Sequence, residues 1–346
     1  MPRDSVAVET VTLSQAKSLI AAMAHEQSLL LLSPPGAGKS ESVMQAAQAS
    51  GLPCRSLLGT QIAPEDVSGV PRIVGERSVF CPPRVLLPEH PEPFCLFLDE
   101  LPACAPDVQK AFYSLLLERR LGEFQLPKGT WVVAAGNRME DRALVRAMSS
   151  ALINRVLILN VRVDHTEWIR WAVANRVRSE VVALITFLPD ALARPVPDAP
   201  VPFSTPRAWT QLARALDLAD AAGILDWRMR RALAFGRVSP EDAALFSALG
   251  EERLDAGTLR PLPDYFKDPA LLPSGATARW LVLNRIRKAV QSEGLDGVDG
   301  MLVNRLLMAL PLEHRFCLLI DTVPAWGRLG ASPSLLQSLK DLTGMD

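Results

Sequence analysis

Two textures of apolar patterning divide the chain. In the first half, short unbroken apolar runs alternate with longer stretches whose apolar residues recur at helical spacing. Ser28–Leu32 is such a run. It stops at Ser33-Pro34-Pro35-Gly36, the pattern of a strand buried on both faces that feeds a turn. Before it, Thr12–Ala24 sets Leu13, Ala16, Leu19, Ile20 and Met23 on one helical face; after it, Ser40–Ala49 is helical. Arg55–Leu58, Cys95–Leu98, Trp131–Ala135 and Arg155–Leu159 repeat the strand pattern. Val108–Glu118 predicts one amphipathic helix and Ala147–Asn154 a further helical stretch. Strands alternating with helices over about 160 residues imply an α/β, doubly wound parallel sheet with its site at the strands' C-terminal edge.

Two segments interrupt this alternation. Pro64–Pro88 is rich in Gly and Pro and contains Val70-Pro71-Arg72-Ile73-Val74-Gly75 and Ser78-Val79-Phe80, the marks of an inserted hairpin or an irregular helix-strand piece. Arg119–Gly129 predicts a small hairpin. Prolines 189, 195, 197, 200, 202 and 206 then change the texture, and residues 191–204 are expected to be a linker between a core over 1–190 and an α-helical lid and C-terminal region over 205–346. In that second part, Trp209–Ala221, Trp227–Phe235, Pro240–Leu249, Ala276–Ser292, Met301–Leu310 and Glu313–Thr322 read as helices. Arg260–Ser274, Pro-rich, reads as irregular. No internal repeat is evident.

Composition narrows the class without changing this outline. The 346 residues suit two domains, 49% apolar content can bury large cores, and 22% charge is an ordinary globular share. A net charge of −1 offers no global attraction to nucleic acid or anionic lipid, although it leaves a local basic groove open. The five cysteines, Cys54, Cys81, Cys95, Cys104 and Cys317, form no C-x-x-C pair and read as small buried apolar residues of a reduced, cytoplasmic chain. His25-Glu26 lacks the second ligand of a zincin, because Leu29 stands where it would be. No apolar run follows a basic patch at the start, so no signal peptide is expected, and Leu29–Leu32 is too short to span a bilayer.

The candidate chemistry sits at the strand ends. A glycine-bearing turn between strand and helix points successive backbone N–H groups into one concavity, and the helix N-terminus adds partial positive charge. Residues 33–40, Ser-Pro-Pro-Gly-Ala-Gly-Lys-Ser, have that form. Pro35, Gly36, Ala37, Gly38, Lys39, Ser40 and Glu41 are therefore the candidate ATP/ADP-binding residues. Gly36 and Gly38 let the backbone approach the phosphates, Lys39 reaches the β and γ phosphates, and Ser40 offers a hydroxyl to Mg²⁺. Ser33 departs from the general G-x-x-x-x-G-K-[ST] pattern at its first glycine. Cys95-Leu96-Phe97-Leu98-Asp99-Glu100 is an apolar run ending in two acids: Asp99 is the second candidate metal ligand, and Glu100 the general base for the attacking water. Asn137, closing Trp131–Ala135 in Ala-Ala-Gly-Asn, can hold that water, or else simply form a turn after Gly136. Arg155 suits an arginine finger that acts across a subunit boundary; its other reading is a surface or capping Arg.

Taken in order, Pro35-Gly36-Ala37-Gly38-Lys39-Ser40, Leu98-Asp99-Glu100, Val108-Gln109-Lys110-Ala111, Ala134-Ala135-Gly136-Asn137-Arg138 and Ser150-Ala151-Leu152-Ile153-Asn154-Arg155 resemble the AAA+ ATPases, and within them the MoxR-type family of the helix 2 insert clade. The resemblance covers residues 10–250. It implies that Asn137 is the sensor 1 residue, that Arg155 is the finger, and that Thr205-Pro206-Arg207 brings Arg207 towards a phosphate. It also implies that Pro64–Pro88 is the helix 2 insert, that Arg120–Lys128 is the pre-sensor 1 hairpin, and that the chain forms a homo-oligomeric ring, as a hexamer. The implied activity is Mg²⁺-dependent ATP hydrolysis that remodels a protein partner bearing a von Willebrand factor A-type domain. Pro102 and Ala103 depart from the Asn-Arg of many relatives. A nucleic-acid motor is the rival reading, because the clade includes DNA translocases and the insert carries Arg72 and Arg77.

Overall fold

The computed structural model describes residues 9–81, 83, 86–87, 92–141, 148–251, 260–292, 295–319 and 322–336. They group into two compact units, one of residues 1–171 with 193–208, the other of 172–192 with 209–346.

The first unit is built on a five-stranded sheet. In chain order its elements are α1 (Leu13–Met23), β1 (Leu29–Ser33), α2 (Lys39–Ala49), β2 (Cys54–Leu58), α3 (Glu65–Ser68), β3 (Val70–Val74), β4 (Arg77–Cys81), β5 (Cys95–Asp99), α4 (Pro106–Ala111), α5 (Tyr113–Glu118), β6 (Arg120–Leu121), β7 (Phe124–Gln125), β8 (Trp131–Asn137), α6 (Ser150–Ile153), β9 (Leu157–Asn160) and most of α7 (His165–Ala174). The sheet order is β2-β5-β8-β1-β9, and every pairing in it is parallel. Leu29, Leu30 and Leu31 are fully buried because both faces of β1 are covered. On one face, Ala16 and Ile20 of α1 and Val43 and Ala47 of α2 pack against Leu29, Leu31, Phe97 and Val133. On the other, Val108, Phe112 and Leu115 of the α4–α5 pair pack against Leu30, Leu96, Val132 and Ala134. The α/β, doubly wound P-loop fold expected from the sequence is the fold observed.

Register decides what meets at the sheet's C-terminal edge. Ser33 lies opposite Asn137, and Leu58 opposite Asp99. The strands β1, β5 and β8 thus end side by side, each on a polar residue.

Several elements differ from expectation. Val108–Glu118 is two helices, because Phe112 turns inward, fully buried, and its amide bonds three residues back to Gln109 at 3.3 Å, which tightens the turn. Ala147–Asn154 contains α6, while Ala147 itself lies outside the described residues. The insert is α3 followed by the antiparallel β3–β4 hairpin, with its positions 82, 84, 85 and 88 outside the described residues. That hairpin is exposed on both faces: Val70 is 62% and Ile73 79% accessible. Arg120–Lys128 holds the small β6–β7 hairpin. Cys95 and Cys104 are buried, but Cys81, at the end of β4, is exposed; the side chain of Cys317 lies outside the described residues.

The second unit is helical: α8 (Ser179–Phe187), most of α9 (Pro206–Ala221), α10 (Trp227–Phe235), α11 (Pro240–Glu251), α12 (Leu262–Lys267), α13 (Ala276–Ser292), α14 (Gly300–Ala309), α15 (Leu312–Leu319) and α16 (Val323–Arg328). Trp209 is fully buried, donates from its indole to the Ala191 carbonyl at 2.6 Å and meets Phe246 edge-on. Arg178 pairs with Glu180, Asp217 and Asp220. The segment Arg260–Ser274, expected to be irregular, contains α12: Pro263 sits in the first turn, where no backbone donor is needed, and Tyr265 and Phe266 are fully buried. No described helix is long and apolar enough to cross a membrane.

Candidate nucleotide site

The loop between β1 and α2 owes its shape to two left-handed glycines, Gly36 at φ 72° and Gly38 at φ 103°. Gly36 is constrained twice. Its φ favours glycine, and a Cβ there would lie 2.6 Å from the Thr205 hydroxyl. Thr205 accepts a bond from the Ala208 amide at 3.0 Å, capping the start of α9. The Arg207 amide donates to the Gly36 carbonyl, also at 3.0 Å. Residues 205–207 therefore brace the loop from outside. Gly38 is the N-cap of α2, so the first helical amides, which have no intrahelical acceptor, face the loop.

Lys39, the first residue of α2, is only 8% exposed. Its ammonium donates to Ser33 Oγ at 2.9 Å, to the carbonyls of Ser33 and Pro34 at 3.3 and 3.4 Å, and to Asn137 Oδ1 at 3.1 Å. Burial pushes its pKa down to about 8, against the pull of Asp99; Arg207 and Arg138 lower it further and Asp141 raises it. Ser33, a departure from the motif when read as sequence, has a definite use here. As the last residue of β1 it turns its hydroxyl to the ammonium.

Asp99 ends β5 and joins two neighbours. Its Oδ2 accepts from Ser40 Oγ at 2.8 Å, and its Oδ1 accepts from the Glu100 amide at 3.0 Å. Glu100 is one of the few non-glycine residues with positive φ, at 58°. This left-handed step takes the chain off the strand, and the Glu100 carboxylate accepts a bond from Thr60 Oγ1 at 3.0 Å. Thr60 sits in the single turn Gly59–Gln61 directly after β2. Gly136, one residue before Asn137, lies against the Pro102 ring, which leaves no room for a Cβ.

Lys39 with Asn137 and Ser40 with Asp99 thus form two bonded pairs that adjoin in one cluster through consecutive residues 39 and 40, with the Glu100 amide on Asp99. Arg207 enters through its backbone and through its charge at Lys39. Ala37 is buried, whereas the Glu41 side chain is exposed and accepts from Gln45 one turn along α2. Arg155 stands apart. Its guanidinium donates to the Ala151 carbonyl at 2.6 Å and lies 4.8 Å over the Tyr113 ring, and none of its bonds among the described residues reaches the cluster. Sequence reasoning missed Thr60, Ser33 as a lysine ligand, and the Arg138–Asp141 fork, whose two bonds are 2.9 and 2.8 Å. The adjacency of Arg138 to Asn137 was the available signal for the last of these.

The donors suit a magnesium nucleotide. Ser40 and Asp99 present hard oxygens already in contact, enough for an ion that keeps several waters and phosphate oxygens. The two left-handed glycines shape the turn at the N-terminus of α2, where amides without intrahelical acceptors favour an anion, and Lys39, the next residue, supplies a buried ammonium.

Residues 28–163 match the family model described as AAA domain (dynein-related subfamily). None of the curated proteins is similar enough to count as a relative. Among solved structures, the chain is similar to a point mutant of RuvB from Thermotoga maritima, at 16% identity and a TM-score of 0.41 over 83% of this chain and 87% of that one. It is also similar to NtrX from Brucella abortus, at 13% identity and a TM-score of 0.40 over 99% and 67%. The parallel sheet, the phosphate loop at its edge and the family match together make residues 28–163 an AAA domain on the P-loop AAA+ fold.

Proposed function

We propose that the chain hydrolyses ATP with Mg²⁺, works as a homo-oligomeric ring, most simply a hexamer, and uses the cycle to remodel a protein partner. The observation that carries the ATPase reading is the bonded cluster: Lys39 to Asn137 and Ser40 to Asp99, with Glu100 beside it, at the tips of three adjacent strands. Backbone amides of the loop and the Lys39 ammonium bind the β and γ phosphates. Ser40 and Asp99 would hold Mg²⁺, which offsets phosphate charge when bound. Glu100 takes the proton of the attacking water as the new O–P bond forms and the bond to ADP breaks, while Thr60 bonds one of its two carboxylate oxygens. Asn137 orients the water, and Arg207 counters charge on the phosphates. Arg155 does the same for the site of the adjoining subunit, a role supported by its lack, among the described residues, of any bond to its own cluster. The protein-remodelling role and a partner with a von Willebrand factor A-type domain rest on the MoxR-type resemblance of the motifs.

Glu100→Gln tests the chemistry. It should bind ATP with the affinity of the unaltered chain and hydrolyse it about 10²–10⁴ times more slowly. Ordinary turnover in that variant would remove Glu100 from the role of base.

A further inference from the structure

Arg155 is held by a device that none of the site motifs contains. An arginine side chain is flexible and loses rotamer freedom when fixed, so a guanidinium that must reach a phosphate needs a support. Here the support is aromatic. The guanidinium lies over the Tyr113 ring at 4.8 Å, within the range in which the negative face of the ring attracts a cation. The ring itself is tethered, since Tyr113 Oη and Ser149 Oγ are 2.6 Å apart. Ser149 is the N-cap of α6 and accepts from the Leu152 amide at 3.2 Å. Arg155 follows α6, with its amide on the Leu152 carbonyl and its Nη1 on Ala151. Ring, cap and helix therefore close a circuit that begins and ends at the guanidinium. Nε is buried and has no hydrogen-bond partner among the described residues, so within that circuit the ring face supplies what bonding does not.

We infer that Tyr113 is a positioning residue for Arg155: its ring, anchored by Ser149, holds the guanidinium ready for the γ-phosphate of the adjoining subunit. The inference rests on Arg155 acting as a finger. Among the described residues the Tyr113 ring and hydroxyl meet Arg155 and Ser149 and none of the bonds at Lys39, Ser40, Asp99, Glu100 or Asn137, so its effect runs through Arg155. Loss of the ring leaves nucleotide binding alone and misplaces the finger, and a displacement of about 1 Å at a transition state costs up to about 10²-fold.

The experiment measures ATPase kcat and KM, together with ADP affinity, in the full chain and in Tyr113→Leu, Tyr113→Phe, Arg155→Ala and the Tyr113→Leu/Arg155→Ala double variant. Tyr113→Leu should lower kcat about 10- to 10²-fold with KM and ADP affinity unchanged. Tyr113→Phe, which keeps the ring and loses only the Ser149 bond, should recover most of that loss. The double variant should be no slower than Arg155→Ala, because a residue that acts through another adds nothing once the other is gone. Multiplying losses in the double variant would overturn the inference, as would a fall in ADP affinity in Tyr113→Leu, which a merely structural ring would produce. A slow Arg155→Ala beside a normal Tyr113→Leu sinks the inference alone. A normal Arg155→Ala sinks the finger reading and the inference with it.

Discussion

Burial holds the Lys39 ammonium down to about 8, and that gives the site a measurable pH signature. A lysine with a depressed pKa is neutral above pH 8 in the free chain, while bound phosphates favour its charged form. Nucleotide binding above pH 8 should therefore take up a proton, and affinity should be flat below pH 8 and fall towards tenfold per pH unit above it. Calorimetry at pH 8.5 in two buffers of different ionisation enthalpy reads the uptake directly. Equal heats in both, with level affinity to pH 9.5, would place the ammonium elsewhere. The same residue shows what was legible at this scale. Lys39, Ser40, Asp99 and Asn137, which the structure brings together, each sit in a sequence motif with a chemical reason. Ser33 and Thr60 do not: a serine in place of a glycine reads as a loss, and a threonine after a strand reads as a turn. Only the strand register puts Ser33 level with Asn137, and only the left-handed step at Glu100 carries its carboxylate to Thr60.

Among the elements, strand positions were readable to within a residue or two, because continuous apolar runs leave little choice for a strand covered on both faces. Helix interruptions were not. The break at Phe112 preserves the apolar periodicity, so nothing in the pattern announces it; α12 was masked by prolines that a first helical turn tolerates. The phosphate loop is the element with the tightest constraint. Gly36→Ala places a Cβ at φ 72° and 2.6 Å from Thr205, so it should cost roughly 1–3 kcal/mol of stability and weaken ATP binding as well. Thermal melts and an ATP titration check both effects. An alanine variant with unchanged midpoint and affinity would mean that the loop relaxes freely and that its bracing by residues 205–207 is slack.

On the scale of the whole molecule, the ring remains the main proposition, and it can be tested by mixing. If the ring forms as proposed, Arg155→Ala and Glu100→Gln chains should each be nearly inactive, and their mixture should contain some interfaces with an intact base facing an intact finger. Activity above the sum of the two preparations is the expected result; a strictly additive mixture would return Arg155 to a local role. Mass measurement under ATP should show the oligomer, and a monomer that hydrolyses at the full rate would contradict it. The sequence carries a change from mixed strand-helix patterning to helices alone. It carries no sign of the return of residues 193–208 to the first unit, because contacts between distant segments leave no periodicity. That return has a practical corollary. Arg207 lies in the first turn of α9, where an amide has no acceptor in its own helix, and its proton is bonded to the Gly36 carbonyl. In deuterium its exchange is therefore a clock for the phosphate loop: slow while the loop is seated, slower still when nucleotide fills it, and fast in Gly36→Ala. Loading of the site can be timed by an isotope at a backbone position, with every side chain left as it is.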